Sequence, residues 1–147
     1  MNLEILKYIA FGYSFIVGLI AFSLSEDLMN STFFKRCLIA GMIAFLTGIV
    51  FEFTNSFKLD KGLTMLIMSI SMIYLGCFQI LRTVFKKWTG TDPYITSEVS
   101  IIGERPTASF WMKYPKNRKI MWTDFLFSIT QALLPIFIIT ALALWII

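Results

Sequence analysis

The chain contains no histidine, the residue that most often serves as a general base and as a metal ligand. Its two cysteines, Cys37 and Cys77, both lie inside apolar stretches, so we expect neither a disulfide framework nor a cysteine metal site. The sequence also lacks zinc-protease, dinucleotide-binding and phosphate-loop motifs. Without histidine, the familiar nucleophile–base pairs are unavailable. These absences predict a protein that is not an enzyme and that holds no metal or cofactor.

Charge is also scarce. Only 15% of the 147 residues are charged and 57% are hydrophobic, and the mean hydropathy is +0.75. Soluble domains have about a quarter charged residues. The composition therefore predicts a membrane protein. The N-terminus lacks a basic segment ahead of its first apolar run and has no A-x-A-like cleavage site, so we interpret that run as a retained span rather than a signal peptide.

Four apolar runs are each long enough to cross a hydrocarbon core of about 30 Å. They predict transmembrane helices at about residues 8–25, 37–54, 62–82 and 124–147. The sequence thus predicts an all-α membrane protein: a four-helix bundle with three helices in residues 1–82, a polar loop at 83–123, and a last helix in 124–147.

Small residues recur every four positions in the second run, at Ala40, Ala44 and Gly48. Such a row lies on one helix face and lets a neighbouring helix approach closely. We expect it to mediate helix packing, in a protein that forms homo-oligomers.

Three residues inside the runs are candidates for a pore or for ion coupling. Pro135 should kink the last helix, and Gln131 lies one turn before it. Glu52 is the one ionisable residue placed inside a run, and a carboxylate in that position is costly unless it has a role. However, it lies near the end of its helix, where Lys58 and Lys61 could pair with it.

The loop 83–123 has strand-like patterning. Residues 95–101 and 107–114 mostly alternate between apolar and polar, and the turn-forming segment 103–106 separates them. The pattern predicts a β-hairpin, which is only marginally stable by itself and should pack on the membrane surface, on a sister subunit or on a protein partner that adds strands to its edges. The alternative is a disordered loop. The expected partner-binding residues are Ile95, Val99, Ile101, Phe110, Trp111, Met112 and Tyr114.

The same loop is basic. Its cations favour contact with membrane lipids, because anionic headgroups attract lysine and arginine near the surface. The expected lipid-contacting residues are Lys86, Lys87, Lys113, Lys116, Arg118 and Lys119. A short basic run beside a membrane is weak support for nucleic-acid binding, and we expect no direct contact with nucleic acid.

Ten of the thirteen Lys and Arg residues lie on the side of the 25–36 and 83–123 loops. Because cytoplasmic loops carry the excess of positive charge, the protein is expected in the cell inner membrane with this side in the cytoplasm and both termini outside.

Two functions remain open from the sequence. The first is a non-enzymatic membrane subunit that oligomerises and anchors or signals to a cytoplasmic protein through its 83–123 loop. Secretion, phage-defence and toxin–immunity complexes use such subunits. The alternative is a small oligomeric channel, transporter or membrane-permeabilising effector. An enzyme acting on lipids is disfavoured, because the chain has no histidine and no paired carboxylates inside the membrane.

Overall fold

The computed structural model describes residues 3–54, 57, 59, 62–96, 101–106, 114, 115 and 117–146. Within these ranges all regular structure is helical. The helices are α1 Leu3–Ser23, a short 3₁₀ helix Ser25–Met29, α2 Ser31–Phe53, α3 Leu63–Thr89 and α4 Trp122–Ile146. The four α-helices are long enough and apolar enough to cross a membrane, which suggests a multi-pass membrane protein.

Three helices extend by five or more residues beyond their predicted apolar runs, because charged residues do not end a helix. The first begins at Leu3 rather than 8. The second begins at Ser31 rather than 37, since the Asn30 side chain caps it by accepting the backbone N–H groups of Thr32 at 2.9 Å and Phe33 at 3.3 Å. The third continues past residue 82 and stops only at Gly90, which adopts the left-handed conformation with φ 74°.

Helix α3 is the centre of the bundle. It packs against α1, α2 and α4, and α1 also packs on α2. Among the described helices, α4 packs on α3 alone, and it is the least buried of the four. Consecutive helices run antiparallel, so residues 24–30 and the described residues between 90 and 121 lie at one end of the bundle, which we call the loop end.

Aromatic packing concentrates toward the loop end. The ring of Phe127 on α4 makes edge-to-face contacts with Phe78 and Phe85 on α3, at centroid distances of 5.9 and 5.4 Å. Phe34 of α2 stacks on the other side of Phe78. Ile95, which follows α3 in the loop, is buried in the same cluster. The start of the loop is therefore part of the core.

Small residues bring α2 and α3 together. The buried row on α2 is Cys37, Gly41, Ala44, Gly48 and Phe51, spaced alternately by four and three residues. Gly41 and Gly48 lie against Met72 and Met68 of α3. The predicted Ala44 and Gly48 belong to this row. Ala40 does not: it is half-buried, and its carbonyl accepts the Tyr13 hydroxyl of α1 at 3.1 Å.

The predicted β-hairpin is wrong, because the described part of the loop forms no strand. Its backbone groups have other partners. Thr96 donates its N–H to the Ser128 side chain of α4 at 2.8 Å. Gly103 donates to the Ile120 carbonyl, and Ile120 donates to Glu104, both at 2.9 Å, so the expected turn pairs with the end of the loop. Most of the two expected strands, residues 97–100 and 107–113, lies outside the described residues.

Candidate functional site

The polar groups of the loop end converge on Asp124. This residue lies in the first turn of α4, where the helix dipole favours a carboxylate, and only 1% of its surface is exposed. Its Oδ2 accepts the N–H of Met121, the residue just before the helix, at 2.7 Å. Its Oδ1 accepts the N–H of Tyr94 at 2.9 Å. Asp124 therefore caps its own helix and also holds the distant start of the loop.

Arg118 supplies the opposite charge. Its Nη2 lies 2.5 Å from Asp124 Oδ1, and both side chains are buried. Its Nη1 donates to the carbonyl of Lys119. Burying two charges is costly unless their geometry is good and further hydrogen bonds satisfy them. The additional backbone donors on Asp124 meet this condition on the acidic side of the pair.

Ser128, one turn further along α4, holds the loop at a second point. Its hydroxyl accepts the Thr96 N–H at 2.8 Å and lies 3.1 Å from the Thr96 hydroxyl, while it donates to the Asp124 carbonyl. The Tyr94 ring packs edge-to-face on Tyr114 from the far end of the loop, at a centroid distance of 5.0 Å. The first two turns of α4 thus organise both ends of the loop. We call Tyr94, Thr96, Arg118, Asp124 and Ser128 the loop anchor.

A weaker ionic contact ties the loop to α3. Asp92 accepts from Arg82 at 3.2 Å and from Lys86 at 2.9 Å. Partial burial acts to raise the pKa of Asp92, but the hydrogen bond from Lys86 and the charge of Arg82 outweigh it and hold the pKa below its usual value. Because these side chains are partly exposed, each ion pair should contribute at most about 1 kcal/mol.

A cleft of about 750 Å³ opens between the last turn of α3 and the end of the loop. Its lining includes Lys86, Lys119, Arg118 and Tyr114. Burial, followed by the negative charge of Glu26 in the 3₁₀ helix, raises the pKa of the Tyr114 phenol. That phenol is therefore a hydrogen-bond donor at neutral pH. We call this opening the basic cleft.

Within the membrane-spanning part, one polar contact joins α3 and α4. The Tyr74 hydroxyl donates to Gln131 Oε1 at 2.7 Å, and both residues are buried. Pro135 is buried one turn further along, where it lines an apolar groove of about 530 Å³ between α1 and α4. No carboxylate or basic side chain lines this groove. Of the two expected pore residues of α4, Pro135 thus lines an apolar groove, and Gln131 is hydrogen-bonded to Tyr74.

Glu52, the third candidate for a pore or coupling role, caps a helix instead of facing a path. Its Oε1 accepts the N–H of Gly62 at 2.6 Å, and its Oε2 lies 3.4 Å from the N–H of Met65, in the first turn of α3. Helix N-termini leave such N–H groups without partners inside the helix.

The expected partner-binding residues have different surroundings. Ile95 is buried in the core, Tyr114 is half-buried, and Ile101 is exposed. Val99, Phe110, Trp111 and Met112 lie outside the part of the chain that the structure describes. Among the expected lipid-contacting residues, Lys86, Lys87 and Lys119 are exposed, and Arg118 is in the buried ion pair. Lys113 and Lys116 are not described.

Sequence reasoning missed the pairing of Arg118 with Asp124, and it gave no role to Asp92, Tyr94 or Ser128. One feature of the sequence indicated the pair: Asp124 is an acidic residue at the N-terminal end of a very apolar helix, six positions after an arginine. A charged residue that is fully buried needs a partner. The contacts of Tyr94 and Ser128 had no such signal, because their partners are about thirty residues away along the chain.

Compared with known proteins, the chain matches no family model, no curated sequence and no solved structure. Its chemistry must therefore be judged from its own residues. Over the described ranges, no group of three or more His, Cys, Asp or Glu side chains could hold a metal ion. The loop end presents a polar surface that the loop anchor holds on a bundle of helices long enough to cross a membrane.

Proposed function

We propose that this protein is a non-enzymatic membrane subunit whose loop, held on the bundle by the loop anchor, is a docking surface for a soluble cytoplasmic protein. The observation that carries the proposal is the buried Arg118–Asp124 pair. This pair, three hydrogen bonds from backbone N–H groups to side chains and an aromatic contact hold the loop on the bundle. A surface that is held in one conformation before binding loses less entropy when a partner docks.

An exposed apolar pair in the loop is the candidate contact. Ile101 and Ile102 are 58% and 55% exposed, and the next residues, Gly103, Glu104 and Arg105, are exposed as well. Gly103 has a φ of 90°, which fixes a turn there, and the Ile120 backbone holds this turn. An apolar centre with a charged rim is a common arrangement in protein interfaces. The proposed contact is made by side chains, and it does not require the partner to add a strand to the loop.

The alternative, a small oligomeric channel, transporter or membrane-permeabilising effector, receives less support. It would draw on Gln131 and Pro135, but Gln131 is hydrogen-bonded to Tyr74 within the chain. The groove beside them is apolar and suits lipid tails better than ions. The proposed homo-oligomer would use the exposed faces of α1 and α4, which carry many large apolar side chains.

We further propose that the loop end faces the cytoplasm of an inner membrane and that both termini face outside. Single cysteines introduced by Asn117→Cys and Leu59→Cys, in a background lacking Cys37 and Cys77, test this orientation from opposite ends. A membrane-impermeant maleimide should label position 59 in intact cells and position 117 only after permeabilisation. The opposite pattern would overturn the charge argument.

Partner docking is tested by purification of the tagged full-length protein in mild detergent, followed by mass spectrometry of the proteins retained. We expect a stoichiometric soluble partner. The double change Ile101→Asp with Ile102→Asp should weaken its binding at least about tenfold, because apolar residues at the centre of an interface contribute most of the affinity.

The control is Leu59→Asp, which places a single carboxylate on an exposed apolar residue at the opposite end of the bundle; each single variant, Ile101→Asp or Ile102→Asp, matches it in charge. It should retain the partner. Equal retention by both variants would exclude these isoleucines from the interface. A clean homo-oligomer without a partner would favour the channel, and ion flux in liposomes would then be the next measurement.

A further inference from the structure

The basic cleft contains two buried polar atoms that have no partner. The Nε of Arg118 and the hydroxyl of Tyr114 form no hydrogen bond with any part of the chain that the structure describes. Buried polar atoms are almost always hydrogen-bonded, so each exception needs an explanation. Both residues line the same cleft, and both atoms can donate a proton to an acceptor. A ligand with acceptor oxygens would satisfy them together.

The charge of the cleft specifies the ligand further. Lys86 and Lys119 also line it, and both are exposed. Three carboxylates lie nearby: Asp92 pairs with Arg82 and Lys86, Asp124 pairs with Arg118, and the charge of Glu26 acts on Tyr114. With Lys119, the four cations exceed these carboxylates by one. Asn117 and Thr91 add neutral donors to the lining. Ammonium, guanidinium and hydroxyl donors around an excess of positive charge are the usual surroundings of a phosphate group.

The position of the cleft indicates where the phosphate comes from. Lys86 lies in the last turn of α3, at the end of a helix long enough to span a membrane. Trp88 and Trp122, whose rings are exposed, are close in sequence to the lining residues Lys86 and Met121. Tryptophan favours the headgroup layer of a membrane, and basic residues at helix ends extend into the same layer. A phosphate at this depth belongs to a lipid.

We propose that the basic cleft is a binding site for the phosphate of one anionic phospholipid, with Arg118, Tyr114, Lys86 and Lys119 as its donors. The bound headgroup completes the hydrogen bonding of the loop and fixes the loop against the membrane surface. This differs from the diffuse attraction expected of a basic loop, because it requires particular donors. It does not depend on the proposed protein partner.

The test is a titration of the purified full-length protein, in lipid-free detergent, with phosphatidylglycerol and separately with phosphatidylcholine, read by native mass spectrometry. We expect saturable binding of one phosphatidylglycerol. The change Lys86→Gln with Lys119→Gln should weaken it about tenfold or more, from the attraction of two cations near an anionic headgroup. Tyr114→Phe, which removes one hydroxyl and no charge, should weaken it several-fold.

The control is Lys35→Gln with Arg36→Gln, which removes two exposed cations at the same end of the bundle but outside the cleft. It should leave the affinity unchanged, and thermal unfolding should show that all variants remain folded. Equal weakening by the control, or no effect of Tyr114→Phe, would leave only diffuse attraction and overturn the proposal. Displacement of the lipid by millimolar inorganic phosphate would show that the cleft takes soluble phosphates and would overturn the assignment to lipid. The lipid titration is independent of the proposed protein partner, so failure to find a partner in a pull-down would not contradict lipid binding.

Discussion

Replacing Asp124 with asparagine should lower the free energy of unfolding by about 3–5 kcal/mol, the usual cost of removing one partner from a buried ion pair. The change leaves the Arg118 guanidinium buried without a counter-charge. It also removes an acceptor, because an amide has one carbonyl oxygen whereas the carboxylate serves Tyr94 and Met121 with different oxygens. The loop should detach from α4 before the spans separate.

The measurement is denaturant unfolding in detergent, combined with hydrogen exchange of the Tyr94 and Thr96 amides. The matched control is Asp92→Asn, which removes a carboxylate from a partly exposed pair and should cost no more than about 1 kcal/mol. Adding Arg118→Met to Asp124→Asn should recover part of the loss, because the buried charge is then gone. Additive losses from the two changes would mean that the side chains do not interact.

Replacing Gly48 with alanine should destabilise the contact between α2 and α3 by about 1–3 kcal/mol, as overpacking of a tight interior does. A Cβ at this position would lie 2.5 Å from the Cβ of Met68, close to the α3 backbone, so the helices must move apart. Gly48→Leu should have a larger effect. Unfolding in detergent with increasing SDS measures both.

Gly76→Ala on α3 is the matched control, because a Cβ there meets no atom within 4 Å. Alanine is favoured over glycine in a helix by about 1 kcal/mol, so this variant should be neutral or more stable. If Gly48→Ala behaves like Gly76→Ala, the close approach of α2 and α3 does not limit stability. Native mass measured on the same samples shows whether the row on α2 also affects the oligomer.

The helix ends show which structural features depend on neighbouring residues in the sequence. The cap at Asn30 depends on neighbouring residues only, because its side chain accepts N–H groups two and three residues ahead, within a single turn. The apolar run predicted that the third helix ends at about residue 82, whereas α3 continues to Thr89. Gly90, rather than the basic residues before it, ends the helix. Apolar runs predict the length of a span, whereas capping residues determine the length of a helix.

The presence of four helices long and apolar enough to cross a membrane follows from the sequence alone, as does a row of small residues on α2 that includes the buried Ala44 and Gly48. The physical reason is that a chain in lipid must satisfy its backbone hydrogen bonds within each segment, so composition and spacing within about twenty residues are enough. The path of the loop was decided only by tertiary structure. Its backbone donors find side chains on α4 thirty and thirty-two residues away, at Asp124 and Ser128. An alternating pattern predicts a strand only if another strand is available to pair with it, and here the first turns of α4 took the place of that partner.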